Sequence, residues 1–145
     1  MDDVVVVDLE TFTDGKKYSL SSMSTRAYVT DERFDLLTVA IAEGESEIAF
    51  FHKQGRSGDG LEEARQRLET VARRGKWLVA HNIAFDGLVL SLGLGIQFAH
   101  YFDTAAYLRY QGLGDSLANG ARIFGWRKAE SPPFNEQTLR DSGIM

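Results

Sequence analysis

Four consecutive valines, Val4 to Val7, run straight into Asp8-Leu9-Glu10, and no other stretch constrains this chain as much. An unbroken β-branched run suits a central strand buried on both faces, as in a sheet covered by helices. Asp8 then stands where such a strand emerges from the core. Residues two apart on a strand share a face, so the carboxylates of Asp8 and Glu10 project together. Two anions held that close repel unless cations join them, and hard divalent ions such as magnesium or manganese prefer carboxylate oxygen. A solvated strand end is the plainer reading of an acidic pair. Its place after a buried strand, where open α/β sheets put their ligands, favours a site.

The rest of the chain reads as alternating helix and strand. Thr13 to Lys17 is a loop; Phe34 to Ala42 and Glu47 to Phe51 are two strands joined by the polar turn Glu43-Gly44-Glu45-Ser46, a hairpin. After the glycine-rich, polar stretch Gln54 to Gly60, apolar Leu61, Ala64, Leu68, Val71 and Ala72 recur at helical spacing until Gly75, with Asp59 as N-cap and Glu62 three residues on. Trp77 to Ala80 is a short strand, His81-Asn82 a turn, and Ala84 to Leu92 a helix that begins near Asp86. The pattern repeats once more. Tyr101 and Phe102 end a strand, Asp103 caps a helix over Thr104 to Tyr110, and Ser116 caps another that stops at Gly125.

Leading strands followed by strand and helix in alternation imply an α/β fold with a mixed sheet, because the hairpin is antiparallel and the crossovers are parallel. From Trp126 the periodicity stops, with Pro132-Pro133 and a polar end. The reading is one domain over residues 1–125, and an irregular tail or the truncated start of a further region over 126–145.

Composition narrows the chemistry. The 145 residues include no cysteine, so a disulfide framework and thiolate metal sites are both excluded, and a metal has to be held by oxygen or imidazole. No apolar run is long enough for a membrane span and the amino terminus is acidic where a secretory signal is basic, which makes a soluble, cytoplasmic protein with no membrane partner the expectation. A net charge of -5 is unlike the basic footprint of proteins that bind nucleic acid by charge alone. Carboxylates gathered for metal ions push composition in the same acidic direction.

The second element of interest is His81-Asn82-Ile83-Ala84-Phe85-Asp86. It follows a strand and opens a helix, so Asp86 can turn toward the end of the first strand and bring a third carboxylate to the pair. A first-turn acid favoured by the helix dipole, and ordinary core packing for Phe85, explain the same residues without function. The arginines of Arg65-Gln66-Arg67 and Arg73-Arg74 suit phosphate contact or a solvated helix face. His52 and His81 lack metal-ligand spacing and are given no role.

Val4 to Val7 with Asp8-Leu9-Glu10-Thr11, then Asn82-Ile83-Ala84-Phe85-Asp86, then Phe102-Asp103-Thr104-Ala105-Ala106 and Ser116-Leu117 with Gly125, together resemble the DEDD (DnaQ-like) 3′-5′ exonuclease superfamily. Within it, the exonuclease domains of phage-type family A DNA polymerases are the most similar. The resemblance spans about Val4 to Gly125, and the ordered set of motifs is more specific than any one of them.

That resemblance implies a ribonuclease H-like three-layer sandwich with a mixed five-stranded sheet, and Asp8, Glu10 and Asp86 as catalytic, metal-binding carboxylates for two Mg2+ or Mn2+ ions. It places Leu9, Thr11, Asn82 and Phe85 at the terminal nucleotide, and a single-stranded DNA 3′ end as substrate, RNA not being excluded. A DNA polymerase domain or subunit is the implied partner. Phe12 is a further candidate for stacking against a base.

The chain departs from the family at its last motif. There the superfamily has a fourth aspartate, four residues after a tyrosine or five after a histidine, on a late helix. Asp141 is the sole aspartate after the proline pair and has neither partner. Either the chain stops before that helix, as a domain fragment or one half of a split polymerase does, or it is a weak or inactive exonuclease fold kept as a scaffold for a polymerase or nucleic acid. An aspartyl phosphatase with Asp8 as nucleophile fits poorly, since that chemistry wants an aspartate two residues on, where Glu10 stands.

Overall fold

In the computed structural model, residues 2–53 and 59–125 are described. The elements in chain order are β1 (Val4–Thr11), α1 (Thr25–Thr30), β2 (Leu36–Glu43), β3 (Ala49–His52), α2 (Asp59–Arg73), β4 (Trp77–Ala80), α3 (Ile83–Leu88), β5 (His100–Asp103), α4 (Thr104–Tyr110) and α5 (Leu117–Ile123). The five strands form one sheet in the order β3-β2-β1-β4-β5. β1 pairs antiparallel with β2 and parallel with β4, and the outer pairs β2/β3 and β4/β5 are antiparallel and parallel. The mixed sheet expected from the hairpin and the crossovers is therefore present, with β1 at its centre.

Burial along β1 alternates strictly. Val5, Val7 and Leu9 are 0–4% exposed, and they join Val39, Ile41, Leu78, Ala64, Leu68 and Val71 in one apolar core with Tyr28, Val89 and Leu90. Val6 is 43% exposed on the opposite face, where Phe102 meets the ring of Tyr107 from α4 at 5.8 Å. The expectation that Val4 to Val7 is buried on both faces is thus corrected. Among the described residues α2 and α3 cover the face of Val5 and Val7, and the face of Val6 is covered far less.

Several boundaries follow from identifiable local devices. The β2–β3 turn closes with Ser46 N–H donating to Glu43 O at 2.9 Å and Gly44 at φ 56°, a conformation that suits glycine. Asp103 caps α4 by accepting from Ala105 N–H, and Ser116 caps α5 by accepting from Asn119 N–H, both as expected. The helix expected over Ala84 to Leu92 is α3 followed by a π turn over Val89–Gly93, in which Leu94 N–H reaches back to Val89 O. The wider turn lets the adjacent Val89 and Leu90 both point into the core. The proposed Asp59 cap and the tail 126–145, including Asp141, lie outside the described side chains.

One element had no counterpart in the sequence reading. Helix α1 begins at the cap Ser24, whose side chain accepts from Ala27 N–H, and it buries Tyr28 and Val29.

Candidate active site

The pairing register explains where the acidic residues sit. β4 runs parallel to β1 through Val4↔Trp77, Val5↔Leu78 and Val6↔Val79, and ends at Ala80. β1 continues alone on that side, while Asp8 and Glu10 remain paired to Ala40 and Thr38 of β2. The space beyond the end of β4 is occupied by the turn His81-Asn82 and the start of α3. Asp86, in the first turn of α3, thereby comes to face the continuation of β1.

Asn82 sets this corner. It is the only non-glycine residue with positive φ among those described, at φ 73° and ψ 61°, a region that asparagine tolerates better than most residues. Its N–H donates to Asp103 Oδ1 at 2.9 Å, the oxygen that also caps α4 through Ala105 N–H at 2.9 Å. Asp103 thus ties the start of α3 to the start of α4. The ring of His81 bridges the same region, Nδ1 to Thr104 Oγ1 at 2.9 Å and Nε2 to Asp115 O at 2.7 Å. Both ring nitrogens are engaged structurally.

Asp86 is 5% exposed. Burial raises its carboxyl pKa to about 7; the charge of Asp8 is the next cause, with Glu10 and Asp103 adding to it and its own backbone N–H opposing. Three of the predicted residues, Asp8, Glu10 and Asp86, are accordingly within one another's electrostatic reach. Among the described residues no group of three or more His, Asp or Glu side chains is drawn together tightly enough to form a ready-made metal cage. The donor set is all oxygen, anionic and partly desolvated, which fits a hard divalent ion in charge and in donor chemistry.

Beside the carboxylates lies a pocket of about 330 Å³ lined by Leu9, Glu10, Thr11, Ser19, Tyr28 and Phe85, among others. Leu9, Thr11 and Phe85, the residues expected at a terminal nucleotide, all line this pocket. Asn82 is an exposed corner residue and is not part of this lining. Phe12 packs against the core with its ring 6.2 Å from that of Tyr18.

The register of β1 with β2 shifts between Glu10 and Thr11, so that Thr11 pairs with Leu36. Such an irregularity re-aims a side chain at a strand end. Thr11 Oγ1 is 2.8 Å from the hydroxyl of Tyr28, which also donates to Phe12 O. Tyr28 is stacked on Tyr18 at 4.5 Å, and its ring is 6.3 Å from that of Phe85.

Thr13, Ser19, Leu20 and Tyr28 also line the pocket and are not singled out by the sequence.

Three of the four helix-face arginines form ion pairs within the chain. Arg65 pairs with Glu62 and Glu69, Arg73 with Glu69, and Arg67 with Glu43, at 2.6 to 3.3 Å. These residues form a solvated, ion-paired helix face.

No family model and no curated protein matches this chain. Solved structures do. Brucella melitensis NrnC bound to pGG superposes with a TM-score of 0.60 at 16% identity, over 97% of this chain and 65% of that one. Trypanosoma brucei RNase D in complex with RNA U12 gives a TM-score of 0.60 at 12% identity, over 98% of this chain and 51% of that one. The family B DNA polymerase of Pyrobaculum calidifontis gives 0.53 at 17% identity, over 84% of this chain and 18% of that one. NrnC is also solved with bound Mg2+. This chain spans less than two thirds of the length of the nucleases it matches. The shared feature is the fold, an α/β ribonuclease H-like arrangement with a mixed five-stranded sheet.

Proposed function

We propose that this chain is a divalent-metal-dependent 3′-5′ exonuclease of the DEDD superfamily, removing terminal nucleotides from single-stranded nucleic acid. One observation carries the reading: the buried carboxyl of Asp86 faces Asp8 and Glu10 at the end of β1, next to a pocket of about 330 Å³. That volume is at the small end of ligand pockets and suits one nucleotide rather than a duplex. The ribonuclease H-like fold, shared with solved nucleases, supports it.

Mg2+ or Mn2+, as a pair of ions, would be held by Asp8, Glu10 and Asp86 and would supply Lewis acidity and an activated water for phosphodiester hydrolysis. The chain's own residues do the rest. Phe85 presents ring surface to the terminal base, a contact that tolerates any sequence, and the buried Tyr28 backs the pocket wall through its hydrogen bond with Thr11. Leu9 forms the apolar floor, and Thr11 supplies a hydroxyl at the sugar. Asp103 positions Asp86 by pinning Asn82. The finer assignment, a proofreading-type domain acting on single-stranded DNA in company with a DNA polymerase and most like those of phage-type family A enzymes, rests on the ordered motifs Asp8-Leu9-Glu10-Thr11 and Asn82 to Asp86.

Digestion of 5′-labelled single-stranded DNA and RNA with Mg2+ or Mn2+ tests the proposal. The expected result is a ladder shortening from the 3′ end, lost on chelation and in Asp8→Ala. A second reading, an inactive scaffold that binds a polymerase or nucleic acid, draws on the absence of a gathered cage among the described residues. Binding without cleavage by folded protein would favour it.

A further inference from the structure

The hydroxyl of Tyr28 has one proton and two partners, Phe12 O and Thr11 Oγ1. A carbonyl oxygen can only accept, so that proton is committed to Phe12 O. The contact of 2.8 Å to Thr11 must then be made with the proton of Thr11, which donates to Tyr28. Thr11 lines the pocket, and its Oγ1 has only lone pairs left to offer a ligand there. The Tyr28 ring cannot turn away to undo this, because it is 2% exposed, stacked on Tyr18 at 4.5 Å and met edge-on by Phe34 at 6.2 Å. Its backbone is held as well, since Tyr18 Oη donates to Tyr28 O at 3.1 Å.

We propose that Tyr28 is a specificity-determining positioning residue: through a hydrogen-bond chain of fixed direction, from Thr11 to Tyr28 to Phe12, it makes Thr11 Oγ1 a pure acceptor that selects a nucleotide end carrying a free hydroxyl over one carrying a phosphate. A sugar hydroxyl donates to those lone pairs. A terminal phosphate has no proton to offer near neutral pH, so it sets oxygen against oxygen, with the carboxylate of Glu10 on the same pocket wall. The selectivity resides in where one proton points. It rests on the nuclease reading for its substrate class, since nothing else in the pocket chooses nucleotides over other hydroxyl compounds.

The test is calorimetric binding of thymidine 5′-monophosphate and thymidine 3′,5′-bisphosphate to the full chain with Mg2+ present, in wild type, Tyr28→Phe and Thr11→Val. Wild type is expected to prefer the monophosphate at least about tenfold. Tyr28→Phe keeps the ring and frees the Thr11 proton to donate, so the preference should fall at least about fivefold, mainly through tighter binding of the bisphosphate. Thr11→Val removes the acceptor and should weaken the monophosphate about fivefold while leaving the bisphosphate within about twofold. A merely structural role for Tyr28 moves both affinities together.

An unchanged preference in folded Tyr28→Phe overturns the proposal, as does wild type that binds both nucleotides alike or neither. Oligonucleotide digestion separates this from the nuclease reading. Preference without cleavage sinks the nuclease and leaves the selector, and cleavage without preference does the reverse.

Discussion

Replacing Asp86 by asparagine should make the metal-free protein more stable and, on the proposed nuclease reading, abolish cleavage. The carboxyl of Asp86 has its pKa raised from 3.8 to about 7, first by burial and then by the charge of Asp8. Between those values the folded chain keeps a proton that the unfolded chain has released. Stability therefore falls as pH rises from about 4 to about 7, and the loss is complete above that. A shift of about 3 units at about 1.4 kcal/mol each caps the effect at about 4 kcal/mol. Asparagine has nearly the same shape, carries no charge, and its amide can donate to the neighbouring carboxylates.

Urea denaturation in EDTA at pH 5 and pH 8 reads the effect directly. Asp31, Glu43 and Glu62 are shifted the opposite way, so their contributions change below about pH 5 and leave the window clear. Asp86→Asn should exceed wild type by about 2 to 4 kcal/mol at pH 8 and by much less at pH 5. Magnesium should narrow the gap at pH 8, because it binds the folded wild type and offsets the same repulsion. An asparagine variant less stable than wild type by equal amounts at both pH values would show that Asp86 is a structural acid, and the site reading would go with it.

Two further substitutions probe the scaffold. Asp103→Ala loses the Oδ1 that accepts from both Ala105 and Asn82; a cost of about 2 kcal/mol in thermal or urea unfolding is expected, with reduced nuclease activity as α3 drifts. Asp103→Asn keeps that acceptor and should cost under about 1 kcal/mol, so equal losses in the two variants would rule out the capping account. Gly60→Ala sets a Cβ 2.5 Å from His52 O, a backbone atom with little room to yield. It should cost about 1 to 3 kcal/mol by urea titration, and a neutral result would mean that α2 shifts freely against β3.

Much of the fold could be read from local chemistry. Strand β4 over Trp77–Ala80 has the bounds expected, and the Asp103 and Ser116 caps open α4 and α5, because short polar side chains at those positions satisfy helix N–H groups wherever they occur. What escaped depended on tertiary context. Val6 looks as apolar as Val5 and Val7 in sequence, and only tertiary placement decides that, among the described residues, α2 and α3 cover the face of its neighbours while Val6 is left half exposed. Helix α1 has a six-residue span, too short for periodicity to show, and it is held mainly by burying Tyr28 and Val29. Tyr28 enters the site through contacts 16 and 17 residues distant in sequence, which no local pattern reveals.

The carboxylates illustrate the same division at the level of chemistry. Spacing alone puts Asp8 and Glu10 on one face of β1, but it says nothing about why a third acid should approach them. The reason is a mismatch in strand length. β1 has eight residues and β4 four, so β4 stops beside Val7 and the chain turns over the uncovered end of β1 before α3 begins. That turn needs a left-handed residue at Asn82, and the conformation is held by Asp103 from the end of β5. A negative side chain thus pins the segment that carries Asp86 toward two more negative side chains. Stability by itself disfavours that arrangement, because Asp103 adds to the charges that oppose ionisation of Asp86. An arrangement that concentrates anions, buries one of them and braces the backbone against their repulsion makes physical sense where a cation completes it. That opposition between charge and burial at Asp86 is what supports the proposal that this end of β1 takes a divalent ion.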